Sequence, residues 1–150
     1  MVSIPPSSVR QRILREHGAL RVMIGEMRHV VALLPHGGKA QLARARVLAD
    51  KLCDELVQHL DLEELMLVPA LREADAWGPV RAETLVEHHA EQRREFTALR
   101  HASIAPHDAD ALAKKLTDFV DSLETDMVHE ERDLLGCLRD DVLGIEVEDG

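Results

Sequence analysis

Hydrophobic residues recur in alternating steps of three and four along almost the whole chain, the spacing of one face of an α-helix. In the first stretch the rhythm runs Ile13, His17, Leu20, Ile24, Met27, Val31 and Leu34. The second gives Ala45, Ala49, Leu52, Leu56, His59, Glu63, Met66 and Ala70, and the third Leu85, His89, Gln92, Phe96 and Leu99. The fourth gives Leu112, Leu116, Phe119, Leu123, Asp126, Glu130, Asp133 and Cys137. "PPSS", "LPHGG", "ADAWGP" and "SIAPHD" punctuate the four stretches, and predict helices over about 8–34, 39–73, 78–102 and 108–138. Short connections make sequential helices antiparallel, so the expected fold is all-α, an up-down-up-down antiparallel four-helix bundle. The bundle domain is drawn at 1–140, with "DVLGIEVEDG" at 141–150 as an acidic C-terminal tail.

Each apolar seam contains polar residues at leucine positions. An ionised side chain alone in a bundle core costs several kcal/mol unless it is paired, protonated or bound to a metal. Four helices carrying the same apparent fault suggest that the faults meet. Counted from the helix ends that share one end of the bundle, His17, His59, Glu63, His89, Asp126 and Glu130 all lie roughly 8–14 residues in, a layer roughly 12–20 Å deep at about 1.5 Å per residue. Three imidazoles and three carboxylates are therefore expected to share one volume.

Composition narrows the partners. Only 2% of residues are aromatic and 45% are hydrophobic, which suits one helical domain with a closed core. A formal charge of −10 argues against nucleic acid or an anionic membrane surface as a partner, because phosphate surfaces repel it. No apolar run has the length of a membrane span and "MVSIPPSSVRQR" lacks the apolar core of a secretion signal, so a cytoplasmic location is expected. Cys53 and Cys137 are the only cysteines. The predicted bundle sets them some 25 Å apart along its axis, far beyond the roughly 7 Å between Cα atoms that a disulfide spans. Both are expected as free thiols.

His59 and Glu63, four residues apart, present an imidazole nitrogen and a carboxylate from one helix face. Imidazoles favour iron, zinc, copper or nickel and carboxylates bridge hard cations, so a mixed set of about six can hold two ions with open positions. The phase of Leu85, Phe96 and Leu99 favours His89 over His88 as the inward residue. His129 lies at the flank of the seam, as a ligand, an orienting partner or an exposed side chain; Asp133 is either a ligand or a group that orients one. Glu64 and Glu131, next to the seam carboxylates, are expected at the surface or behind the ligands. His29 is expected to face solvent, His36, His101 and His107 to lie at helix ends or in loops, and Trp77 to plug the bundle end.

Four segments carry a resemblance to a known family: "REHGALR" around His17, "HLDLEELMLVPAL" from His59, "EHHAEQR" around His89 and "DMVHEERDLL" from Asp126. Together they resemble the haemerythrin-like family, also called the HHE cation-binding domain, over nearly the whole chain. The resemblance implies a non-haem di-iron centre with bridging carboxylates, used to bind oxygen, to sense iron or redox state, or to handle peroxide or nitric oxide. Its metal ligands would be drawn from His17, His59, Glu63, His89, Asp126, Glu130 and His129, and other divalent metals suit the same donors. Two departures stand out. Arg93 occupies the place of a second histidine in the His-x-x-x-His of the third helix, and Asp126 stands where the fourth helix opens with histidine in His-x-x-x-Glu.

More carboxylates and fewer imidazoles favour the ferric state. Redox or peroxide chemistry, or metal-dependent sensing, is therefore expected ahead of reversible oxygen carriage. The ligand set alone fits carrier, sensor and enzyme alike. The competing expectation is a metal-free helical interaction or regulatory module with a buried polar layer.

Overall fold

The computed structural model describes residues 4–104 and 109–138. The tail at 141–150 and His107 lie outside the described residues. Four long helices follow one another: α1 Pro6–Leu33, α2 Gly38–Ala74, α3 Gly78–Ile104 and α4 Ala109–Asp133, with single 3-10 turns at Leu34–His36 and Leu135–Cys137. They form the antiparallel four-helix bundle expected from the periodicity. Helix α1 opens with Pro6 at its first position, where the missing N–H would have had no helical partner anyway. Pro69 lies inside α2 near its C-terminal end, on the exposed face. No described helix is long and apolar enough to cross a membrane.

The core is split in two. One apolar cluster runs from Leu20 and Ile24 through Leu52, Leu56 and Phe96 to Leu116, Leu123 and Met127. A second holds Val9, Ile13, Leu67, Leu71, Ala82, Leu85, Leu135 and Leu138. The gap falls in every helix where a seam residue is polar: at His17, at Glu63, at His89 and Gln92, and at Glu130. Those four helix positions thus form a polar layer sandwiched between two apolar clusters, and each cluster packs the helices together on its side.

The predicted seams hold with shifts where the 3.6-residue repeat drifts from a strict three-four alternation. In α1, Val30 is buried where Val31 is half-buried, and in α2 Leu67, Val68 and Leu71 replace Met66 and Ala70. In α4 the buried face passes through Met127, leaving Asp126 half-buried and Asp133 exposed. Cys53 is buried, Cys137 is half-buried, and both are free thiols. His29, His36 and His101 are exposed.

The α2–α3 turn sets the register of the two helices that carry Glu63 and His89. Asp75 organises it: its carboxylate accepts from the Trp77 backbone N–H at 2.8 Å and from Arg81 Nη1 at 2.7 and 2.9 Å, while its carbonyl accepts from Gly78 N–H at 3.0 Å. Trp77 does not plug the bundle end. Its side chain is 68% exposed, because the Asx turn at Asp75 takes its backbone around the outside of the bend. Gly78 is required by close approach, since a Cβ there would run into the Leu71 carbonyl oxygen. Gly78→Ala should therefore destabilise the fold by about 2–3 kcal/mol, read by urea unfolding, and alter the α2–α3 register, whereas Gly18→Ala, where a Cβ meets nothing, should be neutral or stabilising.

Candidate metal centre

His17, from the middle of α1, is buried, as are His59 and Glu63 of α2 and His89 of α3. His59 and Glu63 are one turn apart, so the helix brings His59 Nε2 to 3.0 Å from Glu63 Oε2. His17 Nε2 lies 2.9 Å from Glu130 Oε1 and 3.7 Å from Glu63 Oε2. Ligand atoms of His17, His59, Glu63 and Glu130, one from each, all fall within 4.8 Å of one another. Donors that share a first-row ion at roughly 2.0–2.2 Å have nearly this spread.

The hydrogen bonding within the cluster is incomplete. His17 Nε2, His59 Nδ1, Glu63 Oε2 and Glu130 Oε1 are buried, and despite the short distances among them none makes a hydrogen bond of good geometry within the described residues. Buried polar atoms are normally paired, and an unpaired one is costly. Here three of the four orphans are donor atoms of neighbouring side chains aimed at the same volume. A cation satisfies all three at once, so the residues present fit a metal ion.

Behind the cluster stand two constructions of the same design. His17 Nδ1 donates to Glu131 Oε2 at 2.7 Å, and Arg21 grips both oxygens of that carboxylate at 2.8 and 3.0 Å. On the opposite side His89 Nδ1 donates to Glu64 Oε2 at 2.7 Å, and Arg93 Nη1 donates to the same oxygen at 2.7 Å. Each arginine follows its histidine by four residues, and each glutamate directly follows a seam glutamate on a neighbouring helix. Such a carboxylate fixes the tautomer and turns Nε2 inward. Arg93 is therefore the anchor of a clamp at the position where a second histidine was expected. The repeated His-x-x-x-Arg and Glu-Glu spacings were the sequence signal for both clamps. Helical periodicity alone assigned Arg21 and Arg93 no role. His59 has a looser counterpart, Glu16 Oε1 at 3.6 Å from Nδ1.

His89 Nε2 bonds Glu63 Oε1 at 2.9 Å. The two oxygens of Glu63 thus face opposite ways, Oε1 to His89 and Oε2 to His17 and His59. Asp126 and His129 do not join the four-residue cluster. Asp126 lies on the α3–α4 seam, accepting from Gln92 Nε2 at 3.2 Å with His88 Nε2 at 3.8 Å. His129 is exposed. Both line the cavity that opens from the cluster, as does His88. Asp133 pairs with Arg132 at the surface, 2.9 Å away.

A family model described as the haemerythrin HHE cation binding domain matches residues 8–138. The chain belongs to that family. Comparisons with curated proteins and with solved structures found no match. The buried His and Glu cluster described above occupies the part of this haemerythrin-like bundle where the apolar core is interrupted.

Charge is arranged around Glu63. Burial alone would raise its pKa, but Glu130 and the imidazoles of His17, His59 and His89 outweigh burial and hold it well below the usual carboxylate range. Glu130 goes the other way, pushed well above that range by burial and by the neighbouring Glu63. Burial would lower His17, yet Glu130, Glu63 and Glu131 raise it to about 10. Without a cation, His17 carries a charge at neutral pH, and the two carboxylates are driven apart, Glu63 toward its ionised form and Glu130 toward its protonated one.

Cation binding at His17 Nε2 must displace the proton there, so affinity should rise with pH throughout the range below about 10. Titration calorimetry with Zn(II) at pH 7 in two buffers of different ionisation enthalpy should show proton release on binding at this cluster, with His17 as a source; enthalpies independent of buffer would contradict it. Glu131→Gln should lower cation affinity by about 10–100-fold, with far-ultraviolet circular dichroism unchanged.

Proposed function

We propose that this haemerythrin-like chain is a non-haem di-iron protein that reacts with a small oxidant or ligand such as dioxygen, peroxide or nitric oxide, or that reports iron or redox state. The observation that carries the reading is Glu63, a buried carboxylate whose two oxygens face separate sets of imidazoles. On the Oε2 side, His17, His59 and Glu130 would hold one ion. His89 would hold a second on the Oε1 side, with Asp126 and His129 reaching it from the cavity wall. The donors of the first position are already gathered, and those of the second are more scattered and, at Asp126 and His129, more exposed. The two positions should therefore differ in affinity.

Bound at Glu63, a pair of irons would supply the electrons or the coordination position that the small ligand needs. The chain's own residues set the conditions for that chemistry. Glu131 and Glu64 hold the imidazoles of His17 and His89 in one tautomer, and the apolar clusters above and below leave the α3–α4 cavity as the way in to the layer. The carboxylates of Glu63, Glu130 and Asp126 favour the more highly charged oxidation state, which suits redox chemistry or sensing better than repeated, reversible oxygen carriage.

Metal analysis and the near-ultraviolet and visible spectrum of protein purified in air without added metal test this reading. About two irons per chain with carboxylate-bridged ferric absorption are expected. A colourless, folded protein that takes up no Fe(II) under anaerobic conditions would overturn the reading and leave a metal-free helical module. Zinc at one equivalent with no iron uptake would overturn the redox part.

A further inference from the structure

Beside the cluster, between α3 and α4, the bundle holds a cavity of about 450 Å³. These two helices touch little, whereas α2 packs closely on α3 and on α1. Asp126 and Gln92 form a polar strut across the open seam at 3.2 Å. The cavity opens where the resemblance between the two halves of the site breaks down: α2 offers the long imidazole of His59, and α4 offers the shorter Asp126 at the matching place before its Glu-Glu pair. Its inner wall is apolar, built by Leu20, Ile24, Leu56, Phe96, Leu123 and Met127.

The size decides what the cavity suits. A single water occupies roughly 30 Å³, and a diatomic ligand or peroxide needs only a little more. About 450 Å³ of mostly apolar space lies within the range of roughly 300–1,000 Å³ that takes organic molecules. The polar lining limits the charge of the guest. Asp133 is paired with Arg132 and the guanidinium of Arg81 is committed to Asp75, which leaves the Asp126 carboxylate, with His88 Nε2 3.8 Å away, to disfavour an anion at this wall. The floor, in contrast, is the His17, His59, Glu63 and Glu130 cluster, where a neutral oxygen can be received by a cation or by the cluster's own donors.

We infer that this cavity binds a neutral, largely apolar organic molecule carrying one oxygen donor, an alkanol or a phenol in chemical class, with its apolar body against the Ile24, Leu123 and Met127 wall and its oxygen toward the Glu63 cluster. The inference deepens the reading of this site as a cation centre, yet it rests on the cavity's shape and lining and holds for the chain with or without ions. The guest would lie next to the reacting centre, as a substrate or as a molecule whose presence is reported.

The test is calorimetric titration of the full chain, as purified and again after metal removal, with 1-butanol, 1-hexanol and 1-octanol. Saturable binding of one alkanol per chain is expected, with affinity rising about fourfold per added methylene. Ile24→Phe and Leu123→Phe, which fill the inner wall, should each weaken 1-octanol by at least tenfold, while Val47→Phe on the exposed face of α2 should not; circular dichroism checks the fold of each variant. Absence of saturable binding by the unaltered chain, or an affinity indifferent to chain length, would overturn the inference without reference to any variant. Saturable, length-dependent binding by a chain that takes up no iron would uphold the cavity and sink only the di-iron reading.

Discussion

The structure depends on one buried carboxylate. Glu63 is 1% exposed and ionised, in a bundle core where an uncompensated charge would cost several kcal/mol. Everything in the polar layer answers that charge. His59 arrives from the same helix one turn away, His17 and His89 arrive from the two flanking helices, and Glu130 is pushed well above the usual carboxylate range by burial and by Glu63 itself. A carboxylate so surrounded is suited to be shared between cations, and its neighbours are suited to complete their coordination.

The rest of the fold holds this layer in position. An apolar cluster on either side packs the helices together, so four side chains from three helices converge without a loop between them. Residues on packed helices are held more closely than residues on loops. The clamps of Glu131 with Arg21 and of Glu64 with Arg93 then remove the freedom of the imidazoles. Each arginine also supplies the positive charge that keeps its glutamate ionised: against the raising effect of burial, Arg21 with His17 and Arg93 with His89 lower Glu131 and Glu64. The arrangement is a paired one, broken only at Asp126, and the break coincides with the wide α3–α4 seam.

Much of this was legible in the chain. Four helices and their antiparallel order follow from apolar spacing and from Pro and Gly punctuation, and His17, His59, Glu63 and His89 were identified because they kept the phase of buried leucines. Glu130 followed from the same rhythm, although α4 turns its buried face toward Met127 and leaves Asp126 on the seam. The clamps were harder to find, because an arginine four residues after a histidine looks like an ordinary solvated side chain until the opposite helix supplies its glutamate. The exposure of Trp77 is not legible in the chain, because an Asx turn, a matter of backbone direction, decides it. The cavity could not be read at all: periodicity tells which face a helix buries, and says nothing of how far two helices stand apart.

The claim that the polar layer exists to hold cations is tested most directly by the stability of the chain as a function of metal. Urea unfolding under anaerobic conditions should show the metal-free protein stabilised by about 2.7 kcal/mol when free Fe(II) stands at a hundred times its dissociation constant. A variant carrying His59→Leu and Glu63→Met, which takes away two of the four clustered donors, should be indifferent to Fe(II). If Fe(II) left the unaltered chain's unfolding curve unmoved, or stabilised the doubly substituted chain equally, the layer would be a buried polar network and not a metal site.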